Sequence, residues 1–334
     1  MCTNISFQRN SKDAPMISAR TMDFVEELLT KIYFTPRGQS FPAAALPGEI
    51  QWKNKYAFVS MVHGRPGVPI LCSSDGLNEA GLSAASLWLQ CSKYPNPTPG
   101  TPILCNARFV SFVLGNFRSV DEVKAALTKL TIIDPTQTQT SSEAPLHFII
   151  SDASGNHLIV EFIDGEMKTY TNNIGVLTND PPFDWHLTNL YNYENLSLRN
   201  NPKPCPDVEL FGSGQLGSPG DPTSASRFIR AELLRHSTFQ PKNTQESVGL
   251  ALQILQTLAV PCGTLNMSTS KSKFDWTQWG VIRDHTNRSI YFYSAFNSRL
   301  YGIHLKNLDL NGSTQKTTDI IKTTWYVDLT NKLE

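Results

Sequence analysis

The chain has no C-x-x-C pair, no net charge and no apolar run approaching the ~18 residues that a membrane span requires. Each absence removes a class of function. The six cysteines, Cys2, Cys72, Cys91, Cys105, Cys205 and Cys262, are scattered over 334 residues, which argues against a small disulfide-stapled scaffold and for free thiols in a reducing compartment. Twenty-nine basic residues balance twenty-nine acidic ones, so no net field gathers nucleic acid or anionic lipid, and neither is expected as a partner. The seven histidines contain no H-E-x-x-H or other metal spacing, and neither a G-x-S-x-G elbow nor a phosphate-cradling glycine loop occurs. No cofactor and no metal are therefore expected. The opening MCTNISFQRN lacks a basic region followed by an apolar stretch, the mark of a secretory leader. The expectation is a cytoplasmic protein, or a periplasmic one if a leader preceded this sequence and was trimmed.

What is present begins at the second residue. Removing Met1 leaves Cys2 with a thiol and a free α-amine on one residue. An ordinary thiol titrates near ~8.5 and an α-amine near ~7.7–8.0, so the amine can take the thiol's proton without recruiting a histidine. The segments NISFQ and PMISARTMDF read as two strands around a turn at Asn10-Ser11-Lys12-Asp13, and such a hairpin returns Arg20 and Asp23 to the side of Cys2. A cation there favours thiolate, and a carboxylate orients the amine.

Apolar runs of strand length recur at Tyr56 to Val62, Leu146 to Ser151, His157 to Ile163, Glu166 to Thr171, Trp279 to Arg283, Ser289 to Phe296 and Leu300 to Leu305. Asp164-Gly165 between two of them is a hairpin signal, because both residues of such a turn must accept positive φ. Further hairpins are expected at 284–287 and at Asn297-Ser298, and Asp75-Gly76 with Gly81 reads as a strand connection in which Asn78 is structural. Ser119-x-x-Glu122 is a capping box before Val123, Ala126, Leu127 and Leu130. Segments 225–236 and 245–259 carry apolar residues at helical spacing. From about 190 to 222 the chain turns to Asn, Pro, Gly and Ser, a long excursion of the sort that covers a site or meets another subunit. Strands before and after helices, with late hairpins, indicate an α+β layered fold.

Four ordered blocks narrow this further: CTNISF…ISARTMDF, DGLNEAGLSAASLWL (75–89), NNIGVLTNDPPFDWHLTNL (172–190) and GSPGDPTSASRFIRAELL (217–234), followed by STSKSKFDWTQW (268–279). Together they resemble the choloylglycine hydrolase family, which groups bile salt hydrolases with penicillin V acylases. The resemblance implies a single domain over 1–334, a four-layer αββα N-terminal nucleophile hydrolase sandwich with two mostly antiparallel sheets. It implies Cys2 as nucleophile, Arg20 and Asp23 as the charged pair around the amine, and Arg227 as a buttress. Asn179 through its side-chain amide and Trp88 through its backbone N–H would serve the oxyanion. Met22, Phe24, Leu146 and the Trp88 indole would line the acyl pocket. A histidine base of the papain kind is not needed, and His186 is read as structural.

The implied reaction is hydrolysis of a linear carboxamide through a Cys2 thioester. Trp88 stands where bile-salt-cleaving relatives usually carry Asn and penicillin-cleaving ones carry Tyr or Trp, so a penicillin V-type or N-acyl homoserine lactone-type amide is the expected substrate. Conjugated bile salt is the alternative, because the central block and the 190–222 excursion look more like that branch. A non-catalytic acyl-amide-binding relative is the third reading. In similar proteins the excursion packs on a neighbouring subunit, which implies a homotetramer.

Overall fold

Leu146–Ser151 is apolar at successive positions because its two faces enter two different cores. Phe148 and Ile150 join one buried cluster with Phe109, Val113, Leu114, Val123 and Leu127, whereas Ile149 joins another with Ile5, Ala19, Val281 and Phe228. A strand buried on both faces belongs to an inner layer. The computed structural model describes residues 1–7, 14–43, 46, 48–63, 72–134, 144–171, 174–200, 214–268 and 273–332. The turn expected at residues 10–13 and Cys205 lie outside them.

Two large antiparallel sheets form those inner layers. The six-stranded sheet runs in the order Val176–Leu177, Cys2–Ser6, Ile17–Phe24, Trp276–Asp284, Ser289–Ser294, Asn297–His304. The eight-stranded sheet runs Glu166–Thr171, His157–Ile163, Leu146–Ser151, Ser83–Trp88, Cys72–Asn78, Phe58–His63, Lys31–Thr35, Lys316–Asp319. Helices Phe109–Asn116 and Val120–Leu127 cover the outside of the larger sheet, and Ser224–Ser237 and Thr244–Leu258 cover the outside of the smaller one. The result is the αββα order, an α+β fold. Among the described residues no helix is long and apolar enough to cross a membrane.

Local signals act much as their chemistry dictates. Asp164 and Gly165 adopt φ of 54° and 83° between two paired strands. Ser119 caps its helix by accepting the Glu122 N–H at 3.3 Å, but the Glu122 carboxylate reaches the Arg118 N–H rather than that of Ser119, so only half of the capping box closes. Two turns differ from expectation. Ser294 pairs with Asn297, which places the last hairpin turn at residues 295–296 and makes Asn297 the start of a strand. The Asn297 amide instead donates to the carbonyls of Lys322 and Thr324. Asp75-Gly76 also lies within a strand; a Cβ at Gly76 would meet Leu114 Cδ1 and Val59 O at 2.5 Å, so glycine there permits close helix–sheet packing. Asn78 closes the turn that follows, accepting from the N–H groups of Ala80 and Leu82 and donating to the carbonyls of Leu114 and Phe117.

Two buried histidines give the fold an acid weakness. His285 bonds through Nδ1 to Gly81 O and through Nε2 to Ser18 Oγ, each at 2.8 Å, a pairing that suits the neutral ring. Burial lowers His285 to about 3 and His157 to about 4, from 6.5. Between those values and 6.5 the unfolded chain takes up protons that the folded chain refuses. Their contribution is therefore complete above pH 6.5 and is lost as pH falls, by about 3 kcal/mol each near pH 4. The thermal midpoint should be flat from pH 8 to 7 and drop steeply below 6. His285→Gln, which can make both hydrogen bonds and does not titrate, should flatten that drop; an unchanged slope would exclude His285 as a source.

Candidate active site

Strand alternation assembles the first half of the site. Cys2–Ser6 pairs with Ile17–Phe24 so that Cys2 lies opposite Met22 and Asn4 opposite Arg20, which turns Cys2, Asn4, Arg20 and Met22 to one face. That face meets the eight-stranded sheet. Arg20 Nη2 lies 3.2 Å from Cys2 Sγ, and Nη1 donates to Ser74 O at 2.5 Å and faces Asp75 Oδ2 at 3.3 Å. Met22 Sδ is 3.7 Å from the Cys2 sulfur. The Trp279 ring, 5.8 Å from the Arg20 guanidinium carbon, adds a cation–π contact. Burial disfavours the Arg20 charge, yet Cys2 and Asp75 more than offset it and hold the group above its ordinary value.

The second half comes from residues far along the chain. Asn179 follows Val176–Leu177, the edge strand beside Cys2–Ser6. Its Oδ1 accepts the Cys2 backbone N–H and Arg227 Nη2, both at 2.8 Å. Its amide nitrogen donates to Trp88 O at 2.7 Å, and its own N–H donates to Ser224 Oγ. Arg227, fully buried on the helix that Thr223 caps, also donates to Cys2 O at 2.5 Å, to Thr3 Oγ1 and to Pro222 O. In an extended strand the N–H and C=O of one residue project from the same edge. The Trp88 N–H therefore faces the same side as the carbonyl that meets Asn179.

Asp23 is wholly buried; its Oδ1 accepts from Thr277 Oγ1 at 2.6 Å. Burial pushes its carboxyl up despite the pull of Arg227 and the N-terminal amine. In this structure Met1 is attached and extends the first strand: its ammonium donates to Asp23 O at 2.8 Å and pairs with Asp275 Oδ2 at 2.9 Å, while the Asp23 N–H returns to Met1 O. The rings of Phe24 and Trp88 lie 6.0 Å apart. Leu146 sits opposite Trp88 in the larger sheet but packs on the helix-side core, away from the sulfur. His186 bonds Asn179 O at 2.9 Å and stacks on Phe228, and burial lowers its pKa.

Sequence reasoning thus brought Cys2, Arg20, Met22, Asp23, Asn179 and Arg227 together with the Trp88 backbone, and missed Asp75, Asp275 and Thr277. All three lie in the ordered blocks, so the blocks held the signal. Their partners, however, sit on other strands at separations that local pattern does not encode. Chemically, the arrangement offers a sulfur beside a guanidinium, a nitrogen held by a carboxamide oxygen, and the Asn179 amide nitrogen seated against the Trp88 carbonyl.

Comparison with known proteins points the same way. Residues 2–319 match the family described as linear amide C–N hydrolases, choloylglycine hydrolase family. The bile salt hydrolase/transferase of Clostridium perfringens is 33% identical across 97% of this chain and 98% of its own length. The penicillin V acylase of Pectobacterium atrosepticum is 29% identical across 92% of this chain and 82% of its own. Among solved structures, a variant of the conjugated bile acid hydrolase from Clostridium perfringens superposes with a TM-score of 0.83 at 29% identity, covering 98% of this chain and 99% of that one. The penicillin V acylase from Agrobacterium tumefaciens gives 0.77 at 28% identity, covering 95% and 91%.

Proposed function

Since the chain belongs to the choloylglycine hydrolase family and is a hydrolase of linear amide C–N bonds, we propose that Cys2 is its nucleophile and that the Cys2 α-amine, freed when Met1 is removed, is its base. The amine takes the thiol proton and the sulfur attacks the amide carbon, with Arg20 facing the charge that develops on sulfur. The carbonyl oxygen becomes an oxyanion and accepts from the Trp88 N–H and from the second N–H of the Asn179 amide. The ammonium then protonates the leaving nitrogen, the C–N bond breaks, and an acyl thioester remains on Cys2. Water, losing a proton to the same amine, attacks the thioester; the carboxylic acid leaves and the thiol reforms. Asp23 and Arg227 position the first residue without entering bond changes.

One observation carries this reading: Cys2 sulfur meets Arg20 at 3.2 Å while Cys2 nitrogen meets Asn179 at 2.8 Å. Intact-mass analysis alongside activity tests it. Turnover should scale with the fraction of molecules that lack Met1; full turnover by protein retaining Met1 would eliminate the α-amine as base.

For the acyl group, the Phe24–Trp88 aromatic pair, whose Phe24 lies on the strand that carries Met22 and Arg20, favours a flat or alkyl acyl chain, hence a penicillin V-type or N-acyl homoserine lactone-type amide. Conjugated bile salt is the second reading, favoured by the 33% identity to the Clostridium perfringens bile salt hydrolase/transferase along nearly the whole chain. In a panel of phenoxyacetyl, long-chain acyl and glycine- or taurine-conjugated amides, the first two classes should give the higher kcat/KM. A glycocholate preference would reverse the choice.

The assembly proposed is a homotetramer. In support, an open groove of about 770 Å³ beside residues 190–198 is lined by Leu187, Tyr191, Leu196, Leu198 and Leu233, with Tyr191 75% exposed. Light scattering should return four chains per particle, and a monomeric mass would refute it.

A further inference from the structure

The strand Trp276–Asp284 carries a charge that the hydrolysis above does not use. Arg283 is 1% exposed and shares the inner face with Trp279 and Val281. Its Nη1 lies 3.5 Å from Asp75 Oδ1, and its Nη2 donates to Asn4 Oδ1 at 2.6 Å. The other oxygen of Asp75 lies 3.3 Å from Arg20 Nη1. Two buried guanidinium groups therefore share one buried carboxylate, and the other arm of Arg20, Nη2, faces the Cys2 sulfur at 3.2 Å. Two guanidinium groups thus face a single carboxylate, and the sulfur is the group opposite Arg20 on which a further negative charge can develop during attack.

Packing alone does not account for a second arginine here. Arg20 and Asp75 would be a complete pair without it, and an apolar side chain of similar volume would avoid the desolvation of another ion. The Nε atoms of both arginines find no hydrogen-bond partner among the described residues, so the arrangement is costly. An uncompensated buried charge is relieved most where an opposite charge can form nearby.

We propose that Arg283 is a positioning residue for the reaction: by drawing on Asp75 it leaves the Arg20 charge unmet, so that the negative charge the cluster lacks is supplied by the Cys2 sulfur. This rests on the reading of Cys2 as nucleophile. Arg283 acts through Asp75 and Arg20 and touches no reacting atom. Removing it lets Asp75 satisfy Arg20 in full, and the sulfur loses its advantage.

The test is the rate at which iodoacetamide modifies Cys2, followed at the N-terminal peptide by mass spectrometry so that the other cysteines do not interfere. It is run on the processed protein and on Arg20→Met, Arg283→Met and the double variant Arg283→Met/Asp75→Asn. Arg283→Met should label Cys2 roughly tenfold more slowly near pH 7, with kcat reduced more than KM and an unfolding midpoint no lower than that of the parent. The double variant should recover to within about threefold of the parent rate, because Arg20 again faces the sulfur without a competing carboxylate. Unchanged labelling in Arg283→Met with a lowered midpoint would make Arg283 purely structural and overturn the proposal. Slow labelling in the double variant would overturn it too. If Arg20→Met also labels at the parent rate, the reading of Cys2 and Arg20 fails rather than this inference alone. Should Arg283→Met not fold, Arg283→Lys keeps the charge without the planar fork; it should label at the parent rate, and a tenfold slowing there would overturn the proposal.

Discussion

Cys2→Ser is expected to fold as the parent does and to lose at least ~10³-fold in turnover. The substituted atom is buried, 3.2 Å from Arg20 Nη2 and 3.7 Å from Met22 Sδ. An oxygen fits that space with a small change in volume, so the fold has little reason to respond. The chemistry has every reason to. A hydroxyl is far less acidic than a thiol, and the proposed base is a single α-amine with no histidine behind it. Initial rates of amine release, with the unfolding midpoint as control, decide the matter. A variant retaining a tenth of parental activity with an unchanged midpoint would remove Cys2 from the mechanism. A denatured variant would be replaced by Cys2→Ala, for which the same loss is expected.

Asp75→Ala should destabilise the protein by about 3–5 kcal/mol, the range for breaking a buried ion pair from one side. Asp75 is wholly buried between Arg20 at 3.3 Å and Arg283 at 3.5 Å. Without it two desolvated cations are left side by side on neighbouring strands of the smaller sheet. Urea unfolding measures the loss, and the effect should be strongly non-additive: adding Arg283→Met to Asp75→Ala should return much of the stability, since the repulsion goes with the second cation. A loss below ~1 kcal/mol, the range of exposed pairs, would mean that water reaches the cluster. The two substitutions also separate two roles of the inner layer, since Cys2 is the proposed site of the bond changes whereas Asp75 lies between the two guanidinium groups.

Much of this was legible residue by residue. The doubly apolar strand 146–151 reads as a strand because β-branched and aromatic residues crowd into six positions; Asp164-Gly165 reads as a turn because both residues accept positive φ. Ser119 and the apolar stripes of the helices are equally local, and Cys2, Arg20 and Asp23 are joined by a hairpin short enough for strand alternation to place them. The errors were also local: Asn297-Ser298 has turn chemistry, but Asn297 pairs with Ser294 and begins a strand, its amide donating to the carbonyls of Lys322 and Thr324. Asp75-Gly76 looks like a turn, yet it is a strand over which a helix packs too closely for a side chain at position 76.

By itself, then, the order of residues singled out Cys2 as the proposed nucleophile and determined its near neighbours on the adjoining strand, the layered α+β class and the family, because each depends on short-range periodicity or on motifs read in sequence. Tertiary structure alone decided that Asp75 is shared by Arg20 and Arg283, that Asp275 meets the Met1 ammonium, and that Asn179 spans Cys2, Arg227 and the Trp88 carbonyl. Those contacts join different strands, loops and a helix, some across the gap between two sheets. Alternation along a strand says which face a side chain takes, but only the packing of the layers says what stands opposite.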